Sequence, residues 1–320
     1  MRALLLLALL VLPLPVAAQT QPFGEWLQGV EQEAVASGIS PATARQALAS
    51  VTPDERVVVL DRKQPESSVT FATYSKNILS PARVRKGRAL LAQHGELLLT
   101  VGARYGVPPS MIVALWGIES GFGRNTGGFD VIPSLATLAY EGRRADFFRG
   151  ELLAALRIVD TDRIDFVTLR GSWAGAMGQC QFMPSTYLRY AVDYDGDGRR
   201  DIWENEGDVF ASIANYLAAE GWRSGMTWGR EVRLRHAVAP EVIGIERQHS
   251  LTEWSRMGVR TLGGKTLPKK ALSASLIQPD GAGGRSFLVY DNFRALMRWN
   301  RSTYFATSAG LLADRLHLSR

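Results

Sequence analysis

The stretch GSWAGAMGQCQFMPSTYLRYAVDYDGDGRRDIWE, residues 171–204, holds the two patterns that constrain the fold most. Its first half places three glycines and two alanines within eight residues, which favours close packing of the backbone. Neutral polar groups stand there beside flat apolar side chains, a mixture that suits a sugar ligand: Ser172, Trp173, Met177, Gln179, Gln181, Phe182, Met183 and Tyr187. A tightly packed helix and turn in the core is the alternative, and it explains the glycines but not the glutamines.

The second half matches the twelve-residue calcium loop D-x-D-x-D-G-x5-E, with Gly198 at the sharp turn. Calcium takes about six to eight oxygen ligands, and this spacing can supply a shell of carboxylates and one backbone carbonyl. Arg200 stands where a paired calcium-binding hand usually has an apolar residue, and the chain has one such loop, so we expect an unpaired structural site. A solvated acidic turn is the alternative. The predicted ligands are Asp193, Asp195, Asp197, the Arg199 carbonyl, Asp201 and Glu204.

Upstream, ALWGIESGFGRN at residues 114–125 places Glu119 directly after an apolar run and directly before glycines. The bulk of Leu115, Trp116 and Ile118 would desolvate this carboxylate and raise its pKa toward the range that suits a general acid. The glycines after it would leave open backbone for a ligand. A glutamate exposed at the C-terminal end of a helix is the plainer interpretation of the same pattern.

Most of the remaining sequence has a helical pattern. Pro81 and Pro109 each indicate the start of a helix, and the apolar spacing from Val84 to Val101 predicts one amphipathic helix over that range. After Trp228 the pattern changes to short, partly alternating segments broken by Gly and Pro, and from Asn292 the helical pattern returns. We therefore predict a mainly α chain with a small inserted β-rich lobe.

The N-terminal segment MRALLLLALLVLPLPVAAQT is typical of a secretory signal peptide, with Arg2, an apolar run and small residues before a cleavage site near residue 18. A membrane anchor is the alternative, but Pro13 and Pro15 interrupt the run, which is short for a span. We expect a protein that is exported, soluble and located in the periplasm. Cys180 is the only cysteine, which excludes an intrachain disulfide.

The chain is basic, with a formal charge of +6 over 320 residues. Such an exported protein could bind nucleic acid, an anionic envelope polymer or a membrane surface. The charges are scattered arginines rather than a compact run, so charge alone favours an ordinary solvated surface. GVRTLGGKT, residues 258–266, misses the phosphate-loop spacing by one residue, the four histidines lack metal-ligand spacing, and no serine nucleophile motif occurs.

Five segments together resemble the lytic murein transglycosylases of the membrane-bound transglycosylase B type, in a soluble exported form. They are IESGFGRNTGG, TLAYEGRRADFFRGEL, GSWAGAMGQCQFMPSTYLRYAVDYDGDGRRDIW, ANYLAAEGW and YDNFRALMRWNRSTYFA, and the resemblance runs from about Phe23 nearly to the C-terminus. It implies a signal peptide at 1–18, a helical lobe at 19–105 completed by 291–320, a lysozyme-like core at 106–228 with the calcium loop at 193–204, and a β-rich lobe at 229–290.

The resemblance implies that Glu119 is the single catalytic acid and base. It would protonate the glycosidic oxygen between N-acetylmuramic acid (MurNAc) and N-acetylglucosamine (GlcNAc), and then take the proton from the muramoyl C6 hydroxyl as that hydroxyl attacks C1. The product would be a 1,6-anhydro end formed without water. Structural Ca²⁺ is the implied cofactor, with no organic cofactor. Peptidoglycan glycan strands are the implied partner, with no nucleic acid and with envelope assembly proteins unidentified.

The sugar-contacting residues carried over from the family are Tyr74, Arg143, Arg144, Ser172, Gln181, Phe182, Tyr216, Trp299 and Asn300. The two arginines would suit lactyl and peptide carboxylates of the polymer. Trp299 stands where the family commonly has Tyr, so a hydroxyl contact would be lost and stacking kept. Cys180 stands where Pro or Gly is usual, and burial as a small apolar residue is expected.

Two other functions remain open on this sequence. A muramidase on the same fold would need a second carboxylate facing the sugar, for which Asp130, Glu141 and Asp146 are candidates by their closeness along the chain. A scaffold that binds the wall without catalysis would keep the groove but would not need Glu119.

Overall fold

The computed structural model describes residues 21–63, 69–162, 164–166 and 168–317. The signal peptide expected at residues 1–18 lies outside these ranges. Fourteen α-helices lie within them: α1 Phe23–Ala36, α2 Pro41–Leu48, α3 Glu55–Arg62, α4 Phe71–Ile78, α5 Pro81–Gln93, α6 Gly95–Tyr105, α7 Pro109–Ser120, α8 Val131–Tyr140, α9 Ala145–Asp162, α10 Pro184–Tyr190, α11 Glu206–Ala219, α12 Leu251–Arg256, α13 Asp291–Trp299 and α14 Thr303–Leu316. The predicted mainly α fold is confirmed.

The described ranges also contain seven short strands, which form two sheets. The strands are β1 Phe129–Asp130, β2 Arg170–Gly171, β3 Gly229–Leu234, β4 Gln248–Ser250, β5 Val259–Thr261, β6 Ser273–Ile277 and β7 Ser286–Val289. The first two pair with each other, and the other five form an antiparallel sheet in the order β4-β6-β7-β3-β5. All five strands lie between residues 229 and 290, where the sequence predicted β structure.

The helix α7 is the centre of the main core. Seven consecutive residues, Met111 to Gly117, are buried, and α14, α5 and α11 pack around them. A helix that is apolar on all sides is stable only when other elements cover every side. Within the described ranges no single helix is long and apolar enough to cross a membrane, although α6 and α7, bent by 107° from each other, reach the needed length and composition as a pair.

The five-stranded sheet has two different faces. Ile277, Phe287 and Val289 share one face and belong to the main core, whereas the other face packs on Leu251 and Trp254 of α12. The turn before β7 also reaches the helical part, where the Asp280 carboxylate accepts hydrogen bonds from the first backbone N–H groups of α4 at 2.5 and 3.2 Å. An acid at a helix N-terminus satisfies unpaired donors there, so Asp280 fastens the sheet to the helices.

The single helix predicted from Val84 to Val101 is wrong in one respect, because it is two helices. His94, between α5 and α6, has φ −98° and ψ 19°, outside the helical region, and Gly95 follows it. Its imidazole packs edge-on against Trp116 and Phe210. The apolar spacing continues across this break, so periodicity alone could not locate it.

Candidate active site

The position of Glu119 follows from the way α7 ends. Gly121 adopts a left-handed conformation with φ 61° and closes the helix, and the Ser120 hydroxyl accepts a hydrogen bond from the Gly123 backbone at 3.0 Å. Glycine reaches this conformation without steric cost. Glu119 therefore lies in the last turn of a buried helix, where its side chain is partly accessible while its neighbours Trp116 and Ser120 are buried.

Among the described residues, the Glu119 carboxylate has one direct side-chain partner, Trp299 at the end of α13. The indole Nε1 donates a hydrogen bond to Glu119 Oε1 over 2.6 Å. Sequence reasoning expected Trp299 to lose the contact that a tyrosine hydroxyl would make and to keep only stacking. The indole instead supplies a donor of its own, and that donor is directed at the acid. An indole N–H can only donate, so it favours an acceptor oxygen at this position.

Trp299 is held in place by other aromatic rings. Its ring centroid lies 5.4 Å from that of Phe182 and 4.7 Å from that of Tyr216. Phe182 and Tyr216 are only 2% and 9% exposed, and the Tyr216 hydroxyl donates to the Arg298 carbonyl at 2.7 Å. These two predicted sugar contacts therefore mainly support the indole, and Trp299 is the more accessible of the three side chains.

Burial raises the pKa of Glu119 to about 7, and the hydrogen bond from Trp299 partly opposes this rise. A carboxylate in an apolar environment loses hydration of its charged form, and a donor restores some of it. Tyr74, on α4, feels the same charge, because burial and the negative charge of Glu119 both raise its pKa. Tyr74, Trp299, Phe182 and Tyr216 thus gather around one acid whose pKa suits proton transfer near neutral pH.

The glycine-rich segment packs against the loop that follows Glu119. A Cβ on Gly127 would lie 2.0 Å from the Gly171 carbonyl oxygen, so only glycine allows the two backbones to approach here. Gln181, with φ 51°, donates from Nε2 to the carbonyls of Thr126 and Gly178 at 3.0 and 2.9 Å. Its Oε1 accepts no hydrogen bond from the described residues, and it remains a candidate ligand contact.

Gln179 has a structural role that the sugar interpretation missed. Its Oε1 accepts from Trp116 Nε1 and its Nε2 donates to the Trp203 carbonyl, both at 2.7 Å. The side chain is 7% exposed, so these bonds account for it inside the core. Gln179 connects the helix that carries Glu119 to the end of the acidic loop.

The structure does not bring Arg143 and Arg144 to the acid through any contact within the described residues. Both bind Asp61 of α3: Arg143 by Nε and Nη2 at 3.0 and 2.9 Å, and Arg144 by Nη2 at 3.1 Å. Both side chains keep about half of their surface exposed, at 59% and 47%. They form a basic site beside α3 whose contact with a ligand remains a prediction.

Ser172 and Asn300 complete the predicted sugar contacts. The Ser172 hydroxyl accepts a hydrogen bond from the Ala176 backbone at 3.0 Å and closes the turn from Ser172 to Ala176. Asn300 follows Trp299 directly, is exposed, and its Oδ1 accepts from the Ser302 backbone at 3.1 Å. Both have local structural partners, and their contact with a sugar remains a prediction.

In the acidic loop, Asp193, Asp195 and Asp197 converge, with one carboxylate oxygen of each within 4.8 Å of the others. Asp193 accepts from the backbones of Gly196 and Gly198 at 2.7 and 2.9 Å, which folds the loop back on itself. Three convergent carboxylates fit a hard cation such as Ca²⁺. Glu204 and Asp201 are not part of this group, and Asp201 Oδ1 instead accepts from the backbones of Trp203 and Glu204, both at 2.9 Å.

The unusual Arg200 of this loop has a clear structural reason. It binds Asp162 at the end of α9 through Nε and Nη2 at 2.9 and 2.6 Å, and the Tyr187 hydroxyl lies 2.8 Å from the same carboxylate. A bidentate pair of this kind fixes both distance and orientation. The loop is thus attached to α9 by Arg200 instead of being paired with a second hand.

Sequence reasoning missed Asp208 and Arg83. Asp208 is buried and accepts from the backbones of Tyr194 and Asp201, both at 2.7 Å, and burial together with the nearby loop carboxylates raises its pKa to about 6. Its position just after the loop was the available signal. Arg83 lies near Tyr74 and gave no sequence signal. Cys180 is fully buried, as expected, and burial raises the pKa of its thiol.

The comparisons with known proteins agree with this geometry. The model of the Transglycosylase SLT domain family matches residues 22–314. Membrane-bound lytic murein transglycosylase B of Escherichia coli strain K12 is 32% identical over 282 residues, covering 83% of this chain and 75% of that protein.

Two solved structures extend the comparison. Pseudomonas aeruginosa SltB3 in complex with NAG-anhNAM-pentapeptide has a TM-score of 0.89 at 47% identity and covers 92% of this chain and 80% of its own. Escherichia coli lytic transglycosylase Slt35 in complex with calcium has a TM-score of 0.79 at 29% identity, with 94% of both chains covered. Since the family model spans nearly the whole chain, this protein belongs to the Transglycosylase SLT domain family of lytic transglycosylases.

Proposed function

We propose that this protein cleaves the MurNAc–GlcNAc bond of peptidoglycan with Glu119 as its single acid and base. The observation that carries the proposal is the partly accessible carboxyl of Glu119, which has a pKa of about 7 and accepts a hydrogen bond from Trp299. Phe182 and Tyr216 pack against that indole. A carboxyl with this pKa is present in both protonation states near neutral pH. It can therefore donate a proton early in a turnover and accept one later.

The proposed reaction balances without water. Protonated Glu119 gives its proton to the glycosidic oxygen as the bond from C1 to that oxygen breaks. The muramoyl C6 hydroxyl then forms a new bond to C1, and its proton passes to the Glu119 carboxylate. Trp299 Nε1 donates a hydrogen bond to Glu119 Oε1, and an oxygen that accepts this bond is the unprotonated one. The geometry therefore favours Oε2 as the oxygen that carries the mobile proton.

The arrangement gives less support to a muramidase. Burial and the Trp299 hydrogen bond are the influences on the Glu119 pKa, and no carboxylate of the described residues adds a third. Asp130 pairs with Arg170 at 2.7 Å, and Glu141 with Arg62 at 2.8 Å. Ordinary glycosidases place two carboxyl groups about 5 to 10 Å apart across the bond. A wall-binding scaffold would have no use for a carboxyl held at this pKa.

The end group of the product tests the reaction. We expect the protein, incubated with purified peptidoglycan, to release muropeptides with 1,6-anhydro ends, about 18 mass units lighter than hydrolysed ends, because hydrolysis adds a water molecule. Mass spectrometry of the released fragments distinguishes the two. Fragments that carry reducing ends alone would identify a muramidase, and no released fragment would favour the scaffold.

We also propose that Asp193, Asp195 and Asp197 hold Ca²⁺, with the Arg199 carbonyl, Asp201 and Glu204 as further candidate ligands. The convergence of three carboxylates supports this, and the Slt35 relative was solved with calcium. The ion would supply charge neutralisation for the loop and take no part in the reaction. The hydrogen bonds of Gln179 would transmit its effect, since they connect Trp203 in the loop to Trp116 in α7.

Thermal unfolding tests this site. Calcium at 100 times its Kd should raise the melting temperature by about 5 to 11 °C, because it adds about 2.7 kcal/mol to the free energy of unfolding and each kcal/mol shifts Tm by about 2 to 4 °C. Magnesium should do less, since it prefers a smaller octahedral shell. The double variant Asp193→Asn, Asp195→Asn should lose the response, and the exposed control Glu246→Gln should keep it. Equal melting curves with calcium, magnesium and chelator would remove the ion from the proposal.

The division of the chain and its location are proposed on the same basis. We infer a helical lobe at 19–105 completed by 291–320, a lysozyme-like core at 106–228, and a β-rich lobe at 229–290 that contains all strands of the five-stranded sheet. The SltB3 relative was solved with NAG-anhNAM-pentapeptide, which supports peptidoglycan glycan strands as the partner of this chain. We infer an envelope location, the periplasm, since that is where this polymer is found.

A further inference from the structure

The net charge of the protein is concentrated in one segment. Residues 229–290 contain ten Lys or Arg and five Asp or Glu, a formal charge of +5. The whole chain has 37 basic and 31 acidic residues, one of the basic residues being Arg2 in the N-terminal segment. The remaining residues therefore balance to zero. The net positive charge therefore belongs to the segment that forms the small sheet and its connections.

Three of the five acidic side chains in this segment accept hydrogen bonds from other residues of the protein. Asp280 binds the backbone at the start of α4, Glu253 accepts from the Ser250 backbone in a capping box, and Glu231 forms two bonds with Arg285, both of 2.7 Å. Glu241 and Glu246 are the other acids, and both are exposed. Most of the acidic charge in this segment is thus satisfied by local structure and compensates few of the exposed cations.

Six exposed cations lie on β3 or just after it, at the end of α12 and in the loop that follows β5, and we call these six residues the basic edge. Among the described strands β5 pairs only with β3, and the Arg235 backbone donates to the Gly258 carbonyl just before β5. None of the six takes part in an ion pair with a described residue. The basic edge comprises Arg233, Arg235, Arg256, Lys265, Lys269 and Lys270, all exposed.

One pair in this region carries a cost that folding alone does not explain. Arg233 on β3 stands directly opposite Arg260 on β5, and like charges in that register destabilise a sheet. Arg260 donates to the carbonyls of Ser255 and Val259 at 2.6 and 2.8 Å, whereas Arg233 extends into solvent. An anionic ligand would remove the repulsion.

Arg233 also lines a cavity of about 790 Å³ at the end of the sheet. Arg285, its ion-pair partner Glu231 and the glycine turn at 281–284 border the same cavity. Its apolar part includes the side chains of Val238, Ile243 and Leu262. Arg233 is the guanidinium of this lining that has no ion pair with a described residue, so the cavity can hold a carboxylate together with methyl-sized apolar groups. A short acidic peptide rich in alanine has that composition.

We propose that the basic edge and its cavity bind the acidic peptide stems of peptidoglycan, on a surface that shares none of the residues of the site at Glu119. The inference rests on the proposed function, which makes peptidoglycan the polymer that this protein encounters. Such a surface would keep the protein on the polymer between cleavage events, because opposite charges raise the local concentration of a partner and its rate of association.

An anionic membrane fits the observations less well. Surfaces that bind membranes combine cations with exposed apolar or aromatic groups. Among the described residues of this segment, Leu262 is the one exposed large apolar side chain, at 53%. A concave cavity also suits a peptide better than a flat bilayer. Protection of the β5 edge against pairing with other chains is a further role for lysines, and it predicts no binding at all.

The test is co-sedimentation with purified, insoluble peptidoglycan. The protein carries Glu119→Gln so that the polymer stays intact, and the lobe variant adds Arg235→Gln, Lys265→Gln and Lys269→Gln. A matched control instead adds three exposed changes on the helices, Arg45→Gln, Arg85→Gln and Arg104→Gln. Both sets remove three positive charges. We expect the lobe variant to bind at least about tenfold more weakly, with a smaller salt dependence, and the control to bind like the parent.

Two further arms identify the ligand. Glycan strands stripped of peptides by an amidase should bind the parent and the lobe variant equally, since the stems are absent. The parent and the lobe variant should also bind equally to phosphatidylglycerol vesicles. Equal binding of lobe variant and parent to intact peptidoglycan would overturn the proposal, as would equal weakening by the control. If the lobe variant bound more weakly than the parent to vesicles but equally to peptidoglycan, the ligand would be a membrane surface instead.

The binding test is independent of the reaction. It uses the Glu119→Gln protein throughout, so reducing ends in the product assay would refute the proposed reaction and leave the binding result readable. In the active protein, the lobe substitutions should leave cleavage of a small soluble muropeptide unchanged, because none of the three touches the site at Glu119. A parallel loss on the small substrate would show that the substitutions act through the fold.

Discussion

Glu119→Gln should lower the turnover of peptidoglycan by at least about 10² to 10⁴, the usual contribution of a positioned general acid or base. The amide keeps the size of the carboxyl but can neither release nor accept the proton. Here both proton transfers are assigned to one group, so the loss should fall at the upper end of that range. Initial rates of muropeptide release, measured at saturating substrate, give the comparison.

The thermal stability of Glu119→Gln should not fall with its turnover. Glu119 is desolvated, which is the cause of its raised pKa, and a neutral amide avoids the cost of a buried charge. We therefore expect the melting temperature of Glu119→Gln to be unchanged or higher, and binding to peptidoglycan to persist. The same exchange at exposed Glu246 should leave the rate unchanged. Turnover of Glu119→Gln within about tenfold of the parent would contradict the assignment of this residue.

Trp299→Phe should move the basic limb of the pH–rate profile upward by about one to two pH units. A hydrogen bond to a charged group contributes about 1.5 to 3 kcal/mol, and one pKa unit corresponds to 1.36 kcal/mol. The indole favours the ionised form of Glu119, so its removal raises a pKa that is already about 7. The acid must be protonated when the bond breaks, and kcat/KM therefore falls as the pH rises through this pKa.

Matched variants separate this effect from a loss of packing. Trp299→Tyr retains an aromatic ring and a donor, so its basic limb should stay near pH 7. Trp222→Phe also removes an indole N–H, but that of Trp222 has no hydrogen-bond partner among the described residues, and the profile should not move. A Trp299→Phe profile that coincides with the parent in pH while the rate drops would mean that the indole acts by stacking alone.

The sequence determined the local features whose information lies in adjacent residues. The acidic loop is one such feature, because its spacing fixes which carboxylates alternate, and Asp193, Asp195 and Asp197 do converge. The mainly α character with strands confined to residues 229–290 is another, since hydrophobic period and turn residues are read over short windows. The apolar residues before Glu119 likewise predicted that its carboxylate would be desolvated, and burial is the main cause of its raised pKa.

Tertiary structure decided the features that depend on residues far apart in the chain. The donor to Glu119 comes from Trp299, 180 positions away, and Asp61 is 82 positions from the Arg143 it binds. The choice between Gln179 as a sugar contact and as a core connector was settled by Trp116 and Trp203, which lie on two other elements. The positive charge became a surface only when β3 and β5 were placed side by side. Spacing along a chain constrains neighbours within a few residues, whereas the partner of a buried polar group is whichever element packing brings within about 3 Å.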